Sequence, residues 1–400
     1  MLYREISKTE TAVSQLGYGC MRFPRGVSGQ FDRAKTEKLV LQAYNSGIGY
    51  FDTAYLYGGS EELLGEILEK HGLREKVRIA TKLPHGQCRS YEDFSRLFGT
   101  SLARLKTGYA DMYLIHNVSS LAQWERLAAL GIARWIEGEK QSGRIRKIGF
   151  SFHGARPEFM KLLEAYAWDF CQIQYNYVNE HDQAGVAGLR RAHELGLAVI
   201  IMEPLLGGKL AAKLPKPAQR VLDGANAKLG ADRTPAAWGL RWLWNQPEVT
   251  VVLSGMNSEE QLTGNLATAD ESPAGCLSDA ELAVFEPLKA AFRESYKVPC
   301  TGCAYCMPCP RGVNIPGVFA AYNARFAHGL IPGMQQYVTG LGLTDRSAKA
   351  SPRNCVKCRE CERKCPQNIE VSARLGEAAR VMEPWWFRGA LGIVRRFFGG

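Results

Sequence analysis

The chain has 400 residues, 46% apolar and 22% charged, enough for a sizeable core and too apolar for a disordered segment. That length allows one large barrel with a small appended domain, or two or three ordinary domains. The formal net charge of +10 comes from scattered Lys and Arg, with short clusters at 144–147 and 395–396; with no long basic tract interleaved with aromatics we expect no nucleic-acid partner, and an acidic redox protein or an anionic substrate is compatible with the balance.

The opening MLYREISKTETAVSQLG has no apolar core behind a positive flank, and no run of about eighteen apolar residues occurs anywhere. Neither a signal peptide nor a transmembrane segment is therefore expected, and the reading is cytoplasmic. Thiols stay reduced there, so clustered cysteines read as metal ligands rather than disulfides. Four of the twelve cysteines, Cys20, Cys88, Cys171 and Cys276, stand alone and read as small buried apolar residues.

From the first candidate strand, 15–19, strands and helices alternate. Helix 34–46 precedes strand 50–54, helix 60–70 precedes strand 77–83, and helix 91–105 precedes strand 109–116. Helix 121–141 leads to strand 145–153, helix 157–165 to strand 170–176, and helix 187–195 to strand 198–205. Helix 235–245, strand 249–256 and helix 258–270 complete the series. Most strands are apolar on both faces, as parallel strands under helices should be. Eight strand–helix units over about 270 residues fit an α/β fold, a (β/α)8 TIM barrel, better than an open doubly wound sheet. The first strand, LGYGC, also lacks the Gly-rich dinucleotide fingerprint. Residues 277–295 read as one more helix, and from Pro299 the texture changes to Cys, Pro and Gly. The expected domains are a barrel over 1–295, a small cysteine-rich domain over 296–375 and a tail over 376–400. The tail, EPWWFRGALGIVRRFFGG, reads as packed on its own protein or as a membrane-surface helix.

A barrel gathers its chemistry at the C-terminal ends of its strands. The second strand ends in FDTAYLYGGSE, the third in ATKLP and the fourth in LIHN. Asp52, Lys82 and His116 thus stand at three consecutive strand tips, with Tyr57 on the loop beside them. A Lys inside an apolar strand is expensive unless paired, and Asp52 is the natural partner. A cationic Lys82 beside Tyr57 is expected to favour phenolate and lower the phenol below its usual pKa of ~10. His116 can hydrogen-bond a substrate oxygen, and such a tyrosine can exchange a proton with a carbonyl oxygen as hydride reaches the carbon. The bland alternative is an ordinary core ion pair with a Tyr and a His nearby.

The order DTAxxYG, then TK, then LIH resembles the catalytic tetrad of the aldo-keto reductases. The resemblance extends over residues 1 to about 295 and includes KIGFSFHG, QIQYN, EPLLGGKL and RWLWNQPEVTVVLSGMNSEEQLTGN. It implies a barrel that binds NADPH or NADH without a Rossmann fold. Tyr57 would be the general acid, tuned by Lys82 and Asp52, with His116 orienting the carbonyl. Ser151, Gln172, Pro204, Leu205, Gly207, Ser254, Gly255, Met256, Gln261 and Asn265 would stand at cofactor-binding positions. Four positions depart from the family pattern. Phe152 replaces an Asn after the fifth strand, Met202 replaces an aromatic after the seventh, Gly264 replaces a Glu, and SGMNSEEQ carries no cation for a 2′-phosphate. NADH, weak nicotinamide binding, or a flavin remain open on these residues.

Two cysteine runs close the chain: Cys300, Cys303, Cys306 and Cys309 before Pro310, and Cys355, Cys358, Cys361 and Cys365 before Pro366. The second is the bacterial ferredoxin spacing CxxCxxCxxxCP, and the first is one residue shorter before its last cysteine. In two-cluster ferredoxins the fourth ligand comes from the other run. Applied here, one 4Fe-4S cluster takes Cys300, Cys303, Cys306 and Cys365, and the other takes Cys355, Cys358, Cys361 and Cys309. Zinc and a single cluster are the alternatives. CTGCAYCMPCPRGVNIP also resembles the tail of a ferredoxin-fused branch of the same family. The expected function is an iron–sulfur oxidoreductase that interconverts a carbonyl and an alcohol. The rivals are a cofactor-sensing or electron-transfer subunit that docks to a redox protein, and a flavin-dependent reductase fed by the clusters. The clusters would be redox carriers or purely structural staples.

Overall fold

The computed structural model describes residues 1–6, 12–26, 29–211, 214–341 and 350–387. A short hairpin, β1 (Tyr3–Arg4) and β2 (Val13–Ser14), precedes the barrel. The barrel strands are β3 (Leu16–Gly19), β4 (Tyr50–Asp52), β5 (Arg78–Leu83), β6 (Ala110–Val118), β7 (Ile145–Phe152), β8 (Phe170–Gln174), β9 (Ala198–Met202) and β10 (Val251–Ser254). Each pairs in parallel with the next, and β10 pairs with β3 to close the ring. The eight predicted strands are these eight, most of them trimmed where loops begin, while β6 runs two residues past its predicted end at His116.

The inward layer is apolar at its lower end. Tyr50, Met112, Leu114, Phe170, Ile200, Val251 and Leu253 form one buried cluster, which Ile6 and Val13 of the N-terminal segment join. Two glycines allow this packing. A Cβ on Gly17 would stand 2.7 Å from Leu253, and one on Gly149 would stand 2.4 Å from the Phe170 carbonyl. Side chains alternate across a strand, so the next inward positions above this layer fall at the strand tips. Asp52, Lys82, His116, Ser151, Gln172 and Met202 occupy them.

The helices α1 (Arg33–Asn45), α2 (Ser60–Lys70) and α3 (Tyr91–Arg104) follow the sequence reading closely. The predicted helix 121–141 is two, α4 (Leu121–Ala129) and α5 (Ile132–Gln141), because Gly131 between them takes φ 86°. After α6 (Arg156–Ala165) and α7 (Gly185–Glu194), an unforeseen α8 (Lys216–Leu229) precedes α9 (Pro235–Trp244). Its signals were present: Pro217 in the first turn and Gly230 at the left-handed C-cap, φ 61°. α10 (Glu259–Asp270) is capped by Ser258.

By packing, the chain divides into two units: residues 1–205 with 236–278, and residues 206–235 with 279–400. The sequence boundary at 295/296 therefore differs from the packing boundary. The predicted helix 277–295 forms as α11 (Asp279–Leu282) and α12 (Phe285–Ser295), and α12 packs on α8 within the second unit. That unit also holds α13 (Ile315–His328), α14 (Leu330–Gly340), α15 (Glu360–Arg363) and α16 (Val371–Met382). Its core includes Val318, Phe319, Tyr337, Leu375 and Met382, with Phe387 of the predicted tail. The rest of the tail, 388–400, lies outside the described residues. Among the described residues no helix is long and apolar enough to cross a membrane.

Candidate functional site

Lys82 is almost fully buried on β5, and its ammonium donates to Asp52 Oδ1 at 2.6 Å and to the Thr53 carbonyl at 2.7 Å. Asp52 Oδ2 has no partner. Burial raises the Asp52 carboxyl above its usual range, while Lys82 opposes that shift. Tyr57 follows β4 on a turn closed by its N–H to the Ala54 carbonyl at 3.0 Å. Gly58 and Gly59, at φ 21° and 79°, then bend the chain into α2. The Tyr57 ring lies with its centroid 4.9 Å from the Lys82 ammonium and meets the His116 ring edge-on at 5.8 Å. All four predicted residues therefore meet in one place.

One expectation is corrected. Tyr57 is not lowered: burial first, then the Asp52 carboxylate, push its phenol well above 10. The Lys82 ammonium, 4.9 Å from the ring centroid, does not overcome the burial of the phenol. Tyr57 is a neutral proton donor at ordinary pH. His116 is buried and its Nδ1 lacks a partner; burial, then Lys82, hold its pKa well below 6.5, so the imidazole is neutral too.

The strand under His116 is irregular. Asn117 takes φ 59°, the β6–β7 register shifts between Ile115 and Val118, and the Asn117 N–H donates to Ser151 Oγ at 2.8 Å. This bulge re-aims the end of β6. The signal available in the sequence was Asn directly after His116, since Asn tolerates the left-handed region.

Ser151 and Gln172 are register partners across β7 and β8, both buried. Gln172 Nε2 lies 3.7 Å from Met202 Sδ, and its Oε1 has no partner. Two residues on, Gln174 is buried with neither amide atom paired, which the sequence reading did not single out. After β9, Glu203 takes φ 52° before Pro204 and Leu205. Gly207, at φ 67°, belongs to the second unit. At the end of β10, Ser254 Oγ accepts from Asn265 Nδ2 at 3.0 Å, and the Met256 carbonyl accepts from the Tyr18 hydroxyl at 2.5 Å. The Gln261 side chain accepts from the Asn257 N–H at 3.0 Å. Asn265 and Gln261 thus fasten the loop 254–258, and Gly255 lies under the Arg22 side chain.

Two buried histidines set a pH limit. His153 is held down to about 4 by burial, and His116 is lowered as well. Below pH 6.5 the unfolded chain binds protons that the fold refuses, so stability falls with pH from about 6.5 downward. Thermal melts across that range should show the decline, flattened in His153→Gln; melting temperatures independent of pH down to about 4 would contradict it.

In the second unit, Cys300, Cys303, Cys306 and Cys365 line one pocket with Ile315, Phe319, Ile369 and Val371. These are the three ligands of the first run plus the last cysteine of the second, the set expected for a shared-ligand cluster. The backbones of the two runs repeat one pattern. The third residue of each, Gly302 and Lys357, has φ 74° and 57°, and the fifth, Ala304 and Arg359, has φ 63° and 60°. Three of these four are not glycine, at a cost of order 1–2 kcal/mol each. The two runs thus share one local backbone pattern. Among the described residues no three His, Cys, Asp or Glu side chains converge on a single-ion position. Four thiols line the pocket, a donor set that suits an iron–sulfur cubane. Burial, with Cys300, Cys303 and Cys365 close by, pushes the Cys306 thiol up to about 12, a proton that bound iron would displace.

Each run is approached through a buried clamp. Asn323 donates to the Val298 carbonyl at 2.7 Å and accepts from its N–H at 3.0 Å. Glu383 accepts from Tyr337 at 2.6 Å, Ser351 at 2.7 Å and Arg353 at 2.9 Å. Of the lone cysteines, Cys20, Cys88 and Cys171 are buried and Cys276 is half-buried.

An ion pair, a phenol and an imidazole thus stand together at the strand tips of a closed eight-stranded barrel. The chain belongs to the aldo/keto reductase family, whose family model matches residues 15–274; a 4Fe-4S dicluster domain matches 299–370. It is 29% identical over 272 residues to a 6-dehydroglucose reductase of Novosphingobium aromaticivorans, covering 63% of this chain and 85% of that protein. It is 26% identical over 293 residues to the aldo-keto reductase str7 of Strobilurus tenacellus, covering 65% and 85%. Among solved structures, the aldo-keto reductase AKR11C1 from Bacillus halodurans in its apo form aligns at TM-score 0.57 and 25% identity, over 72% of this chain and 96% of that one.

Proposed function

We propose that the barrel interconverts a carbonyl and an alcohol on a small molecule, with a nicotinamide as hydride carrier and Tyr57 as the group that gives or takes the proton. The observation that carries this reading is the tetrad's assembly: a neutral phenol packed between the Lys82 ammonium and the His116 ring. A carbonyl oxygen placed between phenol and imidazole would accept hydrogen bonds from both. As its charge grows, proton transfer from Tyr57 neutralises it, and Lys82 and Asp52 hold the phenol's surroundings fixed.

A nicotinamide bound at the strand tips supplies hydride to the carbonyl carbon. The residues present fit it: Gln172 Oε1 is a buried acceptor without a partner, suited to a carboxamide N–H. Ser151, whose oxygen already accepts from Asn117, keeps its own O–H to donate. The missing 2′-phosphate cation on loop 254–258 favours NADH. Titration of the iron-loaded protein with NADH and NADPH tests this. Removing the Gln172 acceptor (Gln172→Ala) should weaken binding by about fivefold to tenfold, the worth of one buried hydrogen bond. No binding of either nucleotide by the unaltered chain would remove the hydride carrier.

For the second unit we propose two 4Fe-4S clusters with crossed fourth ligands, Cys365 for the first run and Cys309 for the second. They would work as one-electron carriers, in a cytoplasmic setting that keeps the thiols reduced.

A further inference from the structure

The eight cluster thiols are not equally covered. Seven are half-buried, and Cys358 is exposed. Its surroundings are open as well: Val356 keeps 55% of its surface, and Lys357, Arg359, Arg363 and Lys364 are exposed. The two carboxylates in this loop are already engaged. Glu360 pairs with Arg363, while Glu362 accepts from the Ser372 N–H at 2.9 Å and its hydroxyl at 2.5 Å. Lys357 and Lys364 make no hydrogen bond or ion pair among the described residues. Lys357 and Arg359 flank Cys358 in the chain, both in the left-handed region. The first-run pocket is the opposite case, walled by the buried Ile315, Phe319, Ile369 and Val371.

An exposed apolar residue beside two cations without a partner among the described residues, Lys357 and Lys364, and two paired ones, Arg359 with Glu362 and Arg363 with Glu360, directly on a cluster ligand, is the pattern of a charged encounter surface. A purely structural cluster gains nothing from one thiolate left open to solvent. We propose that the loop around Cys358 docks an acidic one-electron carrier protein, and that the cluster of Cys309, Cys355, Cys358 and Cys361 is the port through which electrons cross. The inference rests on the cluster assignment above. One electron passes from the reduced carrier to the oxidised cluster, or in the reverse direction; no bond forms or breaks and no proton is required.

The test uses the full chain with its clusters loaded anaerobically. Two donors are compared in stopped flow: a reduced acidic plant-type ferredoxin, and photoreduced 5-deazariboflavin, which is small and nearly uncharged. The ferredoxin rate should fall about tenfold or more as salt rises from about 20 mM to about 300 mM, and the deazariboflavin rate should not. Charge reversal by Lys357→Glu with Lys364→Glu should slow the ferredoxin reaction about tenfold or more and weaken complex formation in parallel. Iron content, the visible spectrum and the deazariboflavin rate should hold, and Lys35→Glu, on α1, should change nothing. Equal ferredoxin rates in the reversed and unaltered chains would overturn the proposal. If the reversal costs iron or slows both donors alike, the salt series on the unaltered chain decides, and a ferredoxin rate flat in salt overturns the docking face. Loss of the cluster assignment would show separately, as a chain that takes up no iron or sulfide.

Discussion

Tyr57→Phe should leave a folded, iron-loaded protein whose carbonyl turnover is lower by about 10²–10⁴-fold, the usual contribution of a positioned general acid. The substitution removes one oxygen and keeps the ring, so the edge-on contact with His116 and the packing over Lys82 survive. Nothing in the fold depends on that oxygen: the turn that holds Tyr57 is closed by backbone bonds to Ala54 and from Ser60. The phenol is held above its ordinary pKa by burial and by Asp52, so in the unaltered chain it stays protonated across the working range. Reduction should therefore run without a rise in activity toward alkaline pH, while oxidation, which needs the phenolate, should gain with pH. Undiminished turnover in Tyr57→Phe, with melting temperature and iron content unchanged, would remove the tyrosine from the chemistry.

Lys82→Met should destabilise the barrel unit by about 3–5 kcal/mol, because it strands a buried carboxylate. Asp52 is 3% exposed, its Oδ2 is already without a partner, and Lys82 is its ion-pair partner at 2.6 Å. The stranded group would respond by taking up a proton, so the loss should shrink as pH falls toward the raised carboxyl range. The double change Lys82→Met with Asp52→Asn separates structure from chemistry. It removes both charges, and most of the stability should return. Turnover should stay low in both variants, since the surroundings of Tyr57 are no longer held. Chemical denaturation of the single and double variants reads the first effect, and steady-state rates read the second. A single variant as stable as the parent would show that the pair contributes nothing to the fold, and full activity in the double variant would show that it contributes nothing to the site.

The barrel was legible because its strands are apolar on both faces and its helices are spaced regularly between them. A buried Lys at the end of ATKLP could be matched with Asp52 on desolvation grounds alone, and the ion pair is there. What the sequence did not show is how strongly burial acts on Tyr57. Burial of the phenol, with Asp52 close by, turns the predicted lowering of Tyr57 into a raising. The bulge at Asn117 was hidden for a similar reason, since a strand reads the same with or without one displaced residue. Gln174 looked like an ordinary strand-end residue until its two buried, unpaired amide atoms placed it with the polar groups at the top of the barrel. In the second unit, cysteine spacing predicted the crossed ligand set, and Cys365 lines the pocket of the first run. Spacing carries no information about exposure, so the difference between Cys358 and the other seven thiols emerged only from the fold. The helix over Lys216–Leu229 was passed over because the barrel template asked for one helix after each strand and α9 already filled that place.

The most direct measurement follows the hydride itself. Nicotinamide deuterated at C4 is supplied with a carbonyl substrate under anaerobic conditions, and the alcohol is examined by mass spectrometry. Direct transfer at the tetrad predicts one deuterium on the former carbonyl carbon, formed at a rate that collapses in Tyr57→Phe. Alcohol that carries only solvent hydrogen would contradict it, since the hydrogen would then have passed through a carrier that exchanges with water.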